Sequence, residues 1–510
     1  MRVRIMIPKN VALAVVVLLA GLMITLPTMA NDPSTLVYGA DSDVQGLSPI
    51  LTNDRVSANA TDQIYDTLFV RDWDTMGIKP SLALSYENPD LLTWIIHLRQ
   101  NVLFSDGTPF NAAAVKFTFE RLLDPKVAAP RASLLNMVDK IDVVDDLTVK
   151  ITTKYPFGPF PAILTHGNSE IVSPTAVAKY GDLMQNPVGT GPFKLEEWVP
   201  GDHITLVRND SYWGDAPKLQ HVIFRVIPEG STRVGLLQTG ELDFTDLVPT
   251  PLFATLKDDP EVTAVAPLGT PIRYLSFNFQ RDLLQNLKVR QAIAMAINRE
   301  DIVTALDGLA SASKSIIGPK VFGYDPTAEA LGYDYNPEKA KELLAEAGYP
   351  DGLTTTLWYG VTGDYPTVAQ VLQEQLSKIG IKVELKGLDW ATFLDATLNG
   401  EQDMFLLGWT NLTADGEELV YPNLHSDNIG GANRSFYGDP ITDELIMASR
   451  VNVDQKVRLA ALEAANAALI ANGAWIALYD QLNILAYNNS VKNLVVNPNQ
   501  GWILRDVYKQ

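Results

Sequence analysis

The sequence predicts an α/β fold organised around a parallel sheet. Three observations carry this. Strand-like and helix-like patterns alternate from residue 336 to residue 407. The helical segments are punctuated by Asn, Pro and Gly at their ends, as helix caps require. The segments between them are short apolar or Thr-rich runs, too short for ordinary helices and about right for strands.

Taken in order, residues 34–40 read as a first strand and 53–67 as a helix, with Ile64 and Leu68 on its apolar face. Trp94, Ile96 and Leu98 alternate with Ile95, His97 and Arg99, the pattern of a half-buried strand. Asn111 caps a helix whose apolar face is Val115, Phe119, Leu122 and Leu123. Strands are expected at 147–152, 203–208 and 222–227, and a short helix at 231–239, closed by Gly240. Residues 274–279 read as a strand, and Val289, Ala292, Ile293, Ala296 and Ile297 mark a periodic helix. The glycine-proline run 187–193 lacks the glycine spacing and the Lys of a P-loop, so it reads as a backbone turn.

The region that sets the fold class begins at Asn336. This residue caps a helix with Pro337 at its first position and Gly348 just past its end. A strand at 353–359, a helix presenting Val368, Val371, Leu372, Leu376 and Ile379, and a strand at 381–385 follow. Trp390, Phe393, Leu394 and Leu398 form one more helix face, and the apolar run 404–407 is the next strand. This β-α-β-α-β order implies parallel strands with right-handed crossovers. It places the loops 360–367 and 409–418 at one sheet edge, beyond the carboxyl ends of the strands, where open α/β sheets bind ligands. Trp409 and Asp415 lie in the second loop. Alone, that stretch reads equally well as a core aromatic and solvated acids; at this edge an aromatic plate and a carboxylate suit a small ligand with apolar and cationic parts. Further on, 457–471 is an Ala-rich helix and 474–479 and 484–487 are strands.

Composition narrows the function. The 510 residues are 46% hydrophobic and 20% charged, ordinary for a globular protein of two to four domains. A formal charge of −20 repels phosphate backbones, so nucleic acid is not an expected partner. With no cysteine, disulfides, thiolate metal sites, cysteine nucleophiles and a lipidated N-terminal cysteine are excluded. Each of the five histidines reads by itself as an ordinary core or surface residue. No His-Glu-x-x-His and no Gly-x-Ser-x-Gly motif occurs, which argues against a secreted peptidase on an α/β fold. Arg2, Arg4 and Lys9, an apolar run over 11–26 and the small residues Thr28 and Ala30 read as a signal peptide over 1–30, removed on export.

Several segments together resemble a known family: Leu98-Arg99-Gln100-Asn101-Val102 running to Asp106-Gly107-Thr108-Pro109-Phe110, the 187–193 loop, Arg208-Asn209-Asp210-Ser211-Tyr212-Trp213-Gly214, Val289-Arg290-Gln291-Ala292-Ile293, the 336–348 helix and Gly408-Trp409-Thr410. In this the chain resembles the substrate-binding proteins of ABC importers, in the dipeptide, oligopeptide, nickel and glutathione group. The resemblance implies a two-lobed periplasmic-binding-protein fold of the large, three-subdomain type. Lobe I would span 31–281 plus 483–510, with an inserted subdomain at about 76–195, and lobe II 282–482. The strands at 274–279 and 484–487 would cross between them.

The resemblance also implies a site. Asp415 matches the acid that peptide binders of the family offer to a ligand ammonium. Arg131 matches an arginine that glutathione-type and nickel-type relatives present to the cleft, and Arg273 is similar to one in glutathione-type relatives. The arginine that dipeptide binders carry in the segment matching 362–368 is absent here. Trp409, Thr410, His166 and Tyr365 complete the expected ligand-binding set. The implied function is capture of a short peptide or glutathione-like peptide in the periplasm by a monomer that delivers it to a membrane permease and its ATPase, without catalysis, cofactor or metal. A nickel chelate or haem on the same fold is the alternative.

Overall fold

The computed structural model describes residues 32–510, so the expected signal peptide lies outside the described residues. Strand β1 (Thr35–Ala40) and helix α1 (Arg55–Ile64) open the fold. Asp54 caps α1 by accepting a hydrogen bond from the Ser57 amide. β1 lies in a seven-stranded sheet, between Phe244–Asp246 and His221–Val226, both parallel to it. The loop at 187–193 packs on the end of α1, where the Gly191 amide donates to the Ile64 carbonyl at 2.8 Å. A separate four-stranded antiparallel sheet spans Ala83–Glu87 to Thr148–Thr153.

The second large sheet has six strands. Its principal elements are β2 (Leu268–Phe277), β3 (Leu353–Gly360), α2 (Tyr365–Ser377), β4 (Ile381–Leu388), α3 (Trp390–Leu398), β5 (Met404–Trp409), α4 (Gln455–Ala471) and β6 (Trp475–Leu482). β3 pairs in parallel with both β4 and β5, as the alternating pattern predicts. β2 lies antiparallel between β5 and β6. β5 is covered on both faces: Met404 and Leu406 pack into one cluster, Phe405 and Leu407 into another. That double burial is why the run shows no polar alternation.

The crossings differ from the expected ones. Residues 274–277 belong to β2, deep in the second sheet, where Tyr274 stacks on Trp475 with ring centroids 3.5 Å apart. The strand at Leu485–Asn488 is likewise interior to the first sheet, between Val262–Val265 and Phe244–Asp246. The chain passes between sheets in the short links 266–267 and 483–484. These links are tied together, for the Asn483 amide donates to the Pro267 carbonyl at 2.8 Å. The strand pattern in the sequence was real, but strand pairing decided which sheet each run joined.

Candidate functional site

The loop after β5 is built by its own side chains. The Asn411 amide group donates to the Asp415 carbonyl at 2.7 Å and accepts from the Asp415 amide at 3.1 Å. Glu418 accepts from the Thr413 amide and hydroxyl at 2.8 and 2.5 Å. The Phe322 amide donates to the Ala414 carbonyl at 2.9 Å. From the first half of the chain, Arg71 donates to the Thr413 carbonyl, and burial pushes its guanidinium down to about 10.

Asp415 is 2% exposed and Arg458, from α4, is 1% exposed. Arg458 Nη2 donates to Asp415 Oδ1 at 2.7 Å and Nη1 to Oδ2 at 3.0 Å. Both oxygens of the acid expected to meet a ligand ammonium are thus engaged by a protein cation. A buried carboxylate matched bidentately has its charge met within the protein already, which argues against the ammonium role expected of Asp415 from sequence.

Arg273 is also matched within the protein. It lies over the Tyr365 ring, 5.0 Å from its centroid, and its Nε donates to Asp364 Oδ1 at 3.3 Å. Tyr479 and Gln481 donate to the other Asp364 oxygen at 2.8 and 3.2 Å. Gly408 makes room for this guanidinium, because a Cβ there would overlap Arg273 Nη1 and lie 2.8 Å from the Ile272 carbonyl. Arg273 and Tyr365 therefore form a supporting cluster at the sheet edge. Trp409 packs against the core on the α4 side of β5, its indole N–H without an acceptor.

Three of the expected residues do come together. Arg131, His166 and Thr410 line one cavity of about 330 Å³, within the range of small-molecule sites. Its other walls include Asn53, Asn59 and Asp62 from the start and face of α1, Leu412 from the β5 loop, and the tail segment 499–501. Arg131 Nε donates to Asn53 Oδ1 at 2.7 Å. His166 Nδ1 accepts from the Asn168 amide at 3.1 Å; burial, and secondly the Arg131 charge, hold its imidazole down at about 4, so it is neutral at neutral pH. An adjoining cavity of about 270 Å³ shares Asp62, Thr165, Gly167, Leu412 and Asn499, and adds Asp66, Arg71 and Glu170.

Asn59, Asp62, Asp66 and Glu170 were missed from sequence. The signal was a polar stripe: Arg55, Asn59, Asp62 and Asp66 recur at helical spacing opposite the apolar face of α1. Asp66 is satisfied by Thr190 and Trp213, which donate to its Oδ2 at 2.8 and 2.9 Å. Among the described residues, no group of His, Asp and Glu is arranged to hold a metal ion, and no helix is long and apolar enough to cross a membrane.

Comparison with known proteins agrees with this architecture. Residues 77–431 match the family model described as bacterial extracellular solute-binding proteins, family 5 middle. The glutathione-binding protein GsiB of Salmonella typhi is 33% identical over 506 residues, covering 96% of both chains. The structure of HbpA2 from Haemophilus parasuis superposes with a TM-score of 0.87 at 29% identity, over 93% of this chain and 100% of that one. The periplasmic binding protein DppA from Helicobacter pylori, in complex with the peptide STSA, superposes with a TM-score of 0.72 at 30% identity, over 93% and 98%. The two sheets, the loop after β5 and the cavity between them are thus a periplasmic-binding-protein fold, and the chain belongs to the family 5 extracellular solute-binding proteins of ABC importers.

Proposed function

We propose that the protein captures a short peptide or glutathione-like peptide in the periplasm and delivers it to an ABC permease and its ATPase. It acts as a monomer and breaks no bond. The observation that carries this reading is the cavity where Arg131, His166 and Thr410 meet, with walls from α1 on one side and from the β5 loop on the other. The relatives whose names specify a ligand, a glutathione binder and a peptide-bound protein, support the same class. Arg131 takes a ligand carboxylate, His166 offers a neutral imidazole, and Thr410 contributes from the second sheet. Asp415 and Arg273 hold the loop edges in place instead of touching ligand. Closure about the links at 266–267 and 483–484 excludes water and strengthens each ionic contact.

Mass spectrometry of what co-purifies, followed by calorimetry, tests this. Reduced glutathione, di- and tripeptides, nickel chelates and haem form the panel. Binding of a peptide, weakened by Arg131→Ala, is expected. Binding of only a nickel chelate or haem would transfer the site to the other ligand class, and turnover of a bound peptide would end the binding-only reading.

A further inference from the structure

The buried carboxylates of this protein mostly meet cations. Asp415 pairs with Arg458, Asp246 with Arg55 and Asp243 with Lys509. Asp62 and Glu170 do not. No ion pair involves either among the described residues, and their strongest interaction is with each other. Glu170 is 2% exposed, and its Oε2 has no hydrogen-bond partner. Two like acids in contact, Glu170 buried and Asp62 half-buried at the cavity wall, hold one proton between them and leave one negative charge without an ion-pair partner among the described residues near neutral pH.

That charge faces the cleft. Asp62 lines both adjoining cavities, and Glu170 lines one of them. A second, independent feature lies one helical turn away. Asn59, which is 1% exposed and lines the larger cavity, has a side-chain N–H group with no acceptor. Across the same cavity Arg131 donates to the neutral Asn53 and forms no ion pair among the described residues. The cavity thus carries an unmatched acid and an unmatched base, with an unused amide donor on its wall. Unmatched buried polar groups are costly unless a ligand satisfies them.

We infer that Asp62, backed by Glu170, is the receptor for the ligand's ammonium group, and that the site selects zwitterions, with the ammonium toward α1 and a carboxylate toward Arg131. This rests on the peptide-binding reading above and assigns to α1 the role that the β5 loop was expected to have. Binding should also depend on pH. The groups around the pair are Asp66, two residues beyond α1, whose charge acts on Glu170; the neutral His166, four residues before Glu170; Tyr65, whose ring lies within reach of the Glu170 charge; Arg71 and Arg505, which line the cavity that holds both acids; and Arg131 across the larger cavity. Burial raises Asp62 to about 6 and Glu170 well above its usual range. Acidification through that region fills the pair with protons and removes the charge that an ammonium needs, while His166 stays neutral until about 4.

The test is calorimetry on the full mature protein with reduced glutathione and alanyl-alanine, each with a free and an N-acetylated amino group, at pH 7.5 and 5. We expect the wild type to bind the free forms at least 10-fold more tightly than the acetylated ones, and to lose most of that preference at pH 5. Asp62→Asn should weaken the free forms by 10-fold or more at pH 7.5 and leave the acetylated forms unchanged. Equal affinity of the wild type for free and acetylated forms overturns the inference even if Asp62→Asn fails to fold, while the peptide-binding reading stands. An unaltered preference in folded Asp62→Asn does the same. No binding of either peptide in any form overturns both.

Discussion

Arg458 and Asp415 face each other with both guanidinium nitrogens on both carboxylate oxygens, at 2.7 and 3.0 Å, and neither is exposed beyond 2%. The pair joins the loop after β5 to the first turn of α4, 43 residues further along the chain. Removing one member leaves the other charged and buried, which costs roughly 3–5 kcal/mol, whereas replacing both by apolar side chains of similar size is often near neutral. Asp415→Ala and Arg458→Ala should therefore each lower Tm steeply in thermal unfolding. The double variant Asp415→Leu/Arg458→Met should recover most of the loss. A mild single-variant effect would show that the pair is not desolvated.

Gly158 meets the corner before α4. Its amide donates to the Arg450 carbonyl at 2.8 Å, and an added Cβ would overlap the Asn452 carbonyl group outright. Because the obstacle is backbone, it cannot rotate away. Gly158→Ala should destabilise the protein by about 1–3 kcal/mol, the usual range for overpacking. Differential scanning calorimetry reads this as a lower Tm; an unchanged Tm would mean that this contact opens freely.

Asp480 on β6 gives a pH signature. Burial raises its carboxyl to about 7, partly offset by a hydrogen bond from Ser313. In the unfolded chain an Asp titrates near 3.9. Between these values the folded state binds the extra proton, so stability falls as pH rises from about 4 to about 7. The destabilisation is absent below that window and complete above it. At about 1.4 kcal/mol per pKa unit it is on the order of a few kcal/mol. Asp480→Asn should flatten this part of the Tm–pH profile and raise Tm at pH 8. An identical profile in the variant would remove Asp480 as the source.

Arg131 lies at the cavity and has no acidic partner among the described residues. Arg131→Gln should weaken peptide binding by about 2 kcal/mol, as loss of a charge-assisted contact to a carboxylate does. Stability should barely change, since the side chain supports little besides Asn53. Calorimetry with a peptide and with its C-terminal amide checks the assignment: the penalty should shrink for the amide.

The alternation of strands and helices between Asn336 and Leu407 was readable because it is local. Side chains repeat every two residues on a strand and about every 3.6 on a helix, and Asn336, Pro337, Gly348 and Gly380 mark ends whatever surrounds them. The parallel order of β3, β4 and β5 followed from that pattern. The position of the loop after β5 did too, since it is the exit of that strand. What the pattern could not contain was pairing through space. Nothing near Asp415 in the chain announces Arg458, and nothing near Asp62 announces Glu170. The sheet to which residues 274–277 belong depended on β5 and β6 closing around them. Periodicity assigns a face to each residue, but only the packed chain decides which charge on that face meets a partner and which is left open to a ligand.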